Sequence, residues 1–543
     1  MSASRFGRHR HLGGVLVGAA SLALALGAGG VLAEDGDDIV QPIDFLHNVV
    51  GAPAPVTGTV WSNGPKTRTG TAICTTATST AANVVTDCES GPHNETSIAV
   101  NPTDANNIIG GLNDYQLSIN PGGHVGETVH SRAHVTFDGG STWSEYPLWS
   151  NLPYQATGDP AVAFDAAGRA YYATLGFKFV GPTNSQAPDI LVSNSTDKGR
   201  TWATSRVATG SGVFTSAGDV LDKEYVAAWG DGNAIVTWGD FRQGPHGAFV
   251  SVRIMSSVTH DGGATWSAPL TISGDLTESF APYPAVSADG QHVFVAFLNT
   301  TDDTTGRDDY EVVEVSPSTG ARIAGPFKVA TTIDGFTDYP IALGRQTYQD
   351  SLFRTWASGN ITVDPTDGTH IAVIWSDMRN STIPAPADPY SATTNSDVVV
   401  SQSTDSGRHW SAPVALELDG DQWMPWGAYD ANGLLRIGFF DRQYDPSNHE
   451  YGYTLATEGT AGSLAFSTTQ LSTGLSDPTK DNRWFAATVD PSFPFATTFL
   501  GDYSNIAPTA DGGVVALWTD LRRDATFAGR TGHGENSVFA TAP

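Results

Sequence analysis

Four apolar runs in this 543-residue chain end in an aspartate followed one or two positions later by an arginine. The pairs are Asp240/Arg242, Asp377/Arg379, Asp441/Arg442 and Asp520/Arg522. A guanidinium presents a planar fork of donors that grips a carboxylate through two parallel hydrogen bonds, which the point charge of Lys cannot do. Such forks brought to one place would bind an acidic ligand. They would equally serve architecture if each Arg met an Asp of a neighbouring unit, and both readings stay open. Further groups able to bind or to move protons stand at equivalent positions near strand ends: Asp114 and Tyr115, Asp159, Asp222-Lys223-Glu224, and Asp502-Tyr503.

A repeat must position these residues. The unit is an apolar strand, a turn with Asp or Gly, and a second apolar strand ending in polar residues. It recurs over residues 97–114, 161–175, 225–240, 284–297, 361–377, 427–441 and 504–520, which makes seven units. A second signature follows four of them: S/T-x-D-x-G-x-T/H-W at residues 136–143, 195–202, 259–266 and 403–410. Its aspartates, Asp138, Asp197, Asp261 and Asp405, can accept backbone N–H groups of their own turn, while Gly supplies positive φ and Trp opens the next strand. Residues 317–320 and 458–462 sit where weaker copies would fall. Supersecondary units repeated at this spacing predict an all-β chain, a single β-propeller of four-stranded blades. Seven blades are favoured, with six the alternative. The seventh unit has only one late strand, so a missing outer strand is expected from the N-terminal segment, closing the ring.

Composition agrees with short strands and turns, with Gly 59, Pro 31, Trp 14 and Phe 24. Acids outnumber bases 57 to 28, which excludes a phosphate-neutralising nucleic-acid binder. Residues 1–33 read as a signal peptide: Arg5, Arg8 and Arg10, then an apolar stretch, then Val31-Leu32-Ala33 before Glu34. Its removal takes three Arg and no acid, moving the formal charge from −29 to −32. The expected product is secreted and not held in a membrane. Residues 34–92 read as an N-terminal segment, part linker and part strand, for example at residues 58–61 and 82–85. Residues 93–543 read as the propeller. Cys74 and Cys88, the only cysteines, are expected to form a disulfide.

The S/T-x-D-x-G-x-T-W turns resemble the Asp box of the sialidase-type (BNR-repeat) β-propellers. In that family the box is structural and lies on the face away from the active site. In a propeller meander the innermost strand starts where the second strand ends, so the polar residues above ring one mouth of the channel. Gly501-Asp502-Tyr503-Ser504 ahead of Asp511-Gly512-Gly513 resembles the segment that carries the family's nucleophilic tyrosine. The resemblance implies that Tyr503 attacks an anomeric carbon, that Glu224 eases deprotonation of the phenol, and that Asp114 protonates the leaving oxygen. Lys223 and Asp159 would line the same mouth and, with Arg242, Arg379, Arg442 and Arg522, contact substrate. An ordinary core tyrosine is the competing reading of Tyr503. The family's F/Y-R-I-P stretch is absent, its nearest string being Phe353-Arg354-Thr355-Trp356.

These features predict a carbohydrate-active enzyme, most simply an exo-sialidase-like glycosidase acting on an acidic sugar. A polysaccharide lyase using Tyr503, His93 or Tyr115 is one alternative, and a non-catalytic glycan- or protein-binding propeller is another. No cofactor is expected. Calcium held by carboxylates stays open without an EF-hand pattern, and the spacing of His124, His130 and His134 fits a loop and strand better than a metal site.

Overall fold

The structure is a computed structural model that describes residues 66–67, 70–88, 91–119, 125–148, 154–178, 188–212, 217–302, 307–333, 348, 353, 355–381, 394–478, 500–527 and 530–543. The expected signal peptide and the strand expected at residues 58–61 lie outside them. The described chain forms seven antiparallel meanders, each a four-stranded blade. The innermost strands, in blade order, are His93–Val100, Ala156–Phe164, Gly218–Trp229, Ser279–Val286, Gly359–Asp364, Gln422–Tyr429 and Asn505–Pro508. Each touches the next, and the last touches the first, so the ring is closed. Near-continuous apolar sequence suits these inner layers because both faces of a blade are covered by neighbours. In blade 5, Ile371, Val373 and Trp375 on one face and Ala372 and Ile374 on the other are all buried.

The four aspartate turns join the third and fourth strands of blades 1, 2, 3 and 5. In the first, Gly140 N donates to Thr136 Oγ1 at 2.9 Å and Thr142 N to Asp138 Oδ1 at 2.9 Å. The Trp143 indole then donates to Gly140 O at 3.0 Å. The turn needs two consecutive left-handed residues. They are Gly139 and Gly140 (φ 75° and 104°) in blade 1 and Ser406 and Gly407 (φ 61° and 81°) in blade 5. Three of these turns bond to the connection between strands one and two of their own blade or to the start of strand two, as in Gly139 N to Asn106 O at 3.0 Å, Gly262 N to Gly232 O at 2.9 Å and Ser406 N to Thr369 O at 3.0 Å. They therefore sit at the end of the propeller opposite the start of the innermost strands.

The N-terminal segment edges three blades in succession. Lys66–Thr67 pairs with the outer strand of blade 2, Cys74–Thr75 with that of blade 1, and Val84–Val85 with Asn536–Ala542 as the fourth strand of blade 7. The chain then turns inward to start blade 1 at His93. A Cys74–Cys88 disulfide, with Cα atoms 6.3 Å apart, ties the blade 1 edge to the segment leaving blade 7. Hydrogen bonds continue the seam, with Thr86 N donating to Ser537 O at 3.0 Å and His93 N to Glu535 O at 2.9 Å.

Closing a loop of 14 residues by a disulfide is worth about 3 kcal/mol on chain-entropy grounds. Replacing both cysteines by serine is expected to lower stability by about that amount. Hydrogen exchange of the Val538 and Phe539 amides should rise before that of other blades, measured on the oxidised protein and the double variant.

Candidate functional site

In five blades the innermost strand carries a two-residue bulge at the same level. The bulged pairs are Glu95-Thr96, Asp159-Pro160, Lys223-Glu224, Ala281-Pro282 and Met424-Pro425. The first residue of each is left-handed, with φ of 52°, 57°, 56°, 54° and 48°. A left-handed non-glycine residue costs about 1–2 kcal/mol, so the ring holds this strain at five places. A bulge re-aims side chains, and in blades 1, 2 and 3 it presents Glu95, Asp159 and Lys223 to a common point.

Lys223 is the hub there. Its ammonium lies 3.2 Å from Asp159 and 3.7 Å from Glu95, and in direct contact with Asp502 of blade 7. All four side chains are at most 4% exposed. Burial works against the charge on Lys223, but Asp159, Asp502 and Glu95 outweigh it and hold the ammonium well above its ordinary range. Glu95 is itself held by Asn113 at 2.8 Å, and Asn113 accepts from the Asp159 amide at 3.0 Å. The neighbouring acids behave differently. Burial, then the charge of Asp159, raises Asp222 to about 7 and pushes Glu224 far above the usual carboxylate range. Neither carboxyl oxygen of Glu224 has a hydrogen-bond partner.

Tyr503 stands beside this cluster, 6% exposed, with its hydroxyl donating to Pro160 O at 3.2 Å. Burial and the charges of Glu95, Asp159 and Glu224 keep the phenol protonated. Beneath it the channel is filled. Tyr225 reaches across the axis, where its oxygen accepts from Asn505 at 2.7 Å. Its ring lies 5.2 Å from Tyr283, 5.0 Å from Trp426 and 6.4 Å from Tyr503. The structure thus brings Tyr503, Glu224, Lys223 and Asp159 together. It does not bring Asp114 to them. Asp114 projects from the face of its strand opposite Asn113 and pairs with Arg132 at 3.0 Å at the blade 7–blade 1 seam.

The four arginines meet aspartates of their own blades, not of neighbours. Arg379 forks Asp377 and Arg522 forks Asp520, in each case two residues back. Arg442 is fully buried and bonds Asp421 at 3.2 Å, which removes it from any surface that meets substrate. The Trp two residues ahead of the aspartate completes the motif in blades 5 and 7. The indole of Trp375 donates to Asp377 at 2.9 Å, and that of Trp518 to Asp520 at 3.1 Å.

Blade 3 carries the same W-x-D-x-R string, Trp238 to Arg242, and departs from it. Arg242 turns away to Asp219 at 3.0 Å, and Asp240 Oδ1 is left buried without a hydrogen bond. Burial, then the charge of Asp219, raises Asp240 to about 6. Asp240 and Asp219 line an open cleft of about 300 Å³ between blades 2 and 3, with Arg206 and Thr209 on one side and Leu221, Trp238 and Met255 along it. The sequence reading missed Asp219 and Arg206, which carry no motif of their own. The threefold W-x-D-x-R string is the signal that marks Asp240, once its unforked state is seen.

Removing the cation from the axial cluster leaves three buried carboxylates facing one another. Lys223→Met is expected to cost about 3–5 kcal/mol. Protonation relieves the mutual repulsion of buried carboxylates that have lost their cation. Urea unfolding of the variant should therefore show partial rescue at acidic pH. A loss below about 1 kcal/mol, the range of an exposed pair, would remove the hub role.

No family model matches the chain, and no curated protein matches it in sequence. Among solved structures it is similar to the Hadza microbial sialidase Hz136, at 13% identity over 77% of this chain and 75% of that one, with a TM-score of 0.39. It is similar to the GH93 alpha-L-arabinofuranosidase of Fusarium graminearum at 14% identity over 66% and 92% of the two chains, TM-score 0.40. It is also similar to a PL25 ulvan lyase at 14% identity over 70% and 78%, TM-score 0.39.

Proposed function

We propose that the protein is a secreted carbohydrate-active hydrolase of the sialidase-type propeller class, and that it takes a glycan into the cleft between blades 2 and 3. The observation that carries this reading is Asp240, the one W-x-D-x-R aspartate left unforked and facing an open cleft beside a second carboxylate. Glycoside hydrolysis needs such a pair, one carboxyl to protonate the leaving oxygen and one carboxylate to act on the opposite face of the sugar. Asp240, neutral below about 6, is the proton donor. Asp219, anchored by Arg242, is the partner. Leu221, Trp238 and Met255 supply the apolar surface on which a sugar ring packs. The four aspartate turns, at the far end of the propeller, support the sialidase-type class and take no part in the chemistry.

The substrate is a neutral glycan. An acidic sugar needs a free guanidinium, yet Arg242, Arg379 and Arg522 engage aspartates of their own blades, Arg442 is buried against Asp421, and Arg206 beside the cleft lies 3.6 Å from Asp189. The axial cluster sets several carboxyl groups against the single cation of Lys223, and a sugar carboxylate would be repelled there. The same argument weighs against a lyase, which must neutralise a uronate. A second reading places the reaction at the axis, with Tyr503 and Glu224. The unbonded carboxyl of Glu224 favours it.

The test is product release from neutral, sialylated and uronate-containing glycans, read by mass and by near-UV absorbance. Asp240→Asn is expected to lower turnover about 10²–10⁴-fold, as loss of a general acid does, while Glu224→Gln and Tyr503→Phe leave it within a few-fold. The reverse pattern moves the reaction to the axis. Unsaturated, UV-absorbing products would make the protein a lyase, and binding without any product would make it a recognition module. Wild-type activity should fall as pH rises through about 6, where Asp240 loses its proton.

A further inference from the structure

Three polar side chains of blade 1 meet in a dry space where blade 7 closes on it. His93 opens the innermost strand, Asp114 stands opposite it on the second, and His134 lies on the third. All three are completely buried, and one donor atom from each lies within 4.8 Å of the other two. They do not satisfy one another. His93 Nε2 is 3.5 Å from Asp114 Oδ1 and His93 Nδ1 is 3.8 Å from Asp87 Oδ2, both beyond good hydrogen-bond length. Both ring nitrogens of His93 and Nε2 of His134 lack a hydrogen bond. Buried polar atoms left in this way are rare, and an absent ion is one of the few explanations.

The tautomer points the same way. His134 Nδ1 sits 3.0 Å from Thr86 O, a carbonyl that can only accept, so Nδ1 carries the proton and Nε2 offers a lone pair to the space. His93 has the same polarity, with Nδ1 toward Asp87 and Nε2 toward Asp114. A histidine whose outer nitrogen faces a carbonyl or carboxylate while the inner one faces ligands is the usual second layer of a metal site. Asp114 is held in place by Arg132 at 3.0 Å and by the Gln116 amide. Ligand atoms about 2.0–2.1 Å from a tetrahedral zinc stand about 3.4 Å apart, close to the His93–Asp114 separation of 3.5 Å.

We propose that His93, Asp114 and His134 bind one divalent transition-metal ion, zinc or a first-row neighbour, at the seam between blades 7 and 1. Two imidazoles and one carboxylate suit such ions and not calcium or magnesium, which take oxygen ligands. The other group with metal-ligand spacing, Cys74, Cys88 and Glu145, has its thiols consumed in the disulfide. The outer nitrogens of both histidines face Thr86 and Asp87, on the segment that completes blade 7, so the ion pins ring closure from inside blade 1.

Full-length secreted protein stripped with EDTA and reloaded with Zn²⁺ or Co²⁺ tests this. After desalting, about one ion per chain should remain, the cobalt form should show visible d–d bands, and X-ray absorption of the zinc form should report two imidazoles and no sulfur. His93→Gln and His134→Gln should lose the ion. Asp87→Asn, acting through His93, should keep it with about 10–100-fold weaker affinity. Wild-type protein that retains no ion, a zinc spectrum with sulfur or without imidazole, or unchanged stoichiometry in folded His134→Gln would overturn the proposal. The wild-type spectra decide the matter even if the histidine variants fail to fold.

Discussion

A propeller blade touches its two neighbours and little else, so nothing in a ring of blades fixes what happens at the axis. In this protein one ammonium does. Lys223 of blade 3 meets carboxylates from blades 1, 2 and 7, and blades 1 and 7 are not its neighbours in the ring. A buried cation among several carboxylates is stable only when the partners are held, because desolvation otherwise exceeds the Coulombic gain. The bulges supply that hold. Each places a left-handed residue at the same level, so Glu95, Asp159 and Lys223 are aimed by backbone and not by side-chain chance. Tyr225 does beneath the cluster what Lys223 does within it, touching blades 4, 6 and 7 from blade 3.

In the proposed reading, this arrangement separates support from chemistry. The axis is dry, packed and charged, while the cleft beside blade 3 is open and carries the acid whose repeat partners are locked. The comparison among copies is internal to the chain. Asp377 and Asp520 show what the W-x-D-x-R string does when nothing else is asked of it, and Asp240 shows the same string with its arginine drawn away to Asp219.

The ring was legible because its signals are local. Alternating strands and the aspartate turns each report on fewer than ten residues, and seven such units leave little choice of architecture. Proline at the second bulge position, Pro160, Pro282 and Pro425, is a signal for the inner-strand distortions that the sequence reading left unused, since proline enters a sheet only where no ladder N–H is needed. The site was less legible. That Arg442 is buried and that Arg242 reaches Asp219 depend on side-chain direction, which neighbouring residues do not encode. His93, Asp114 and His134 lie on three successive strands, so their meeting reflects strand length and register. Of the histidines that cluster in sequence, His134 takes part and His130 does not.

Among the described strands, the third pairs with the last. Val84 and Val85 pair with Phe539 and Val538, so the seventh sheet gains its outer edge only when residues 536–542 have been made. A polypeptide made N-terminus first carries that short strand, and the cysteine just beyond it, through the synthesis of the blades between without the surface they belong on. Contacts this distant along the chain form slowly. Completion of the circle is thus timed by the seventh blade, whose third strand, Asn536–Ala542, lies between the N-terminal edge strand and the rest of its sheet.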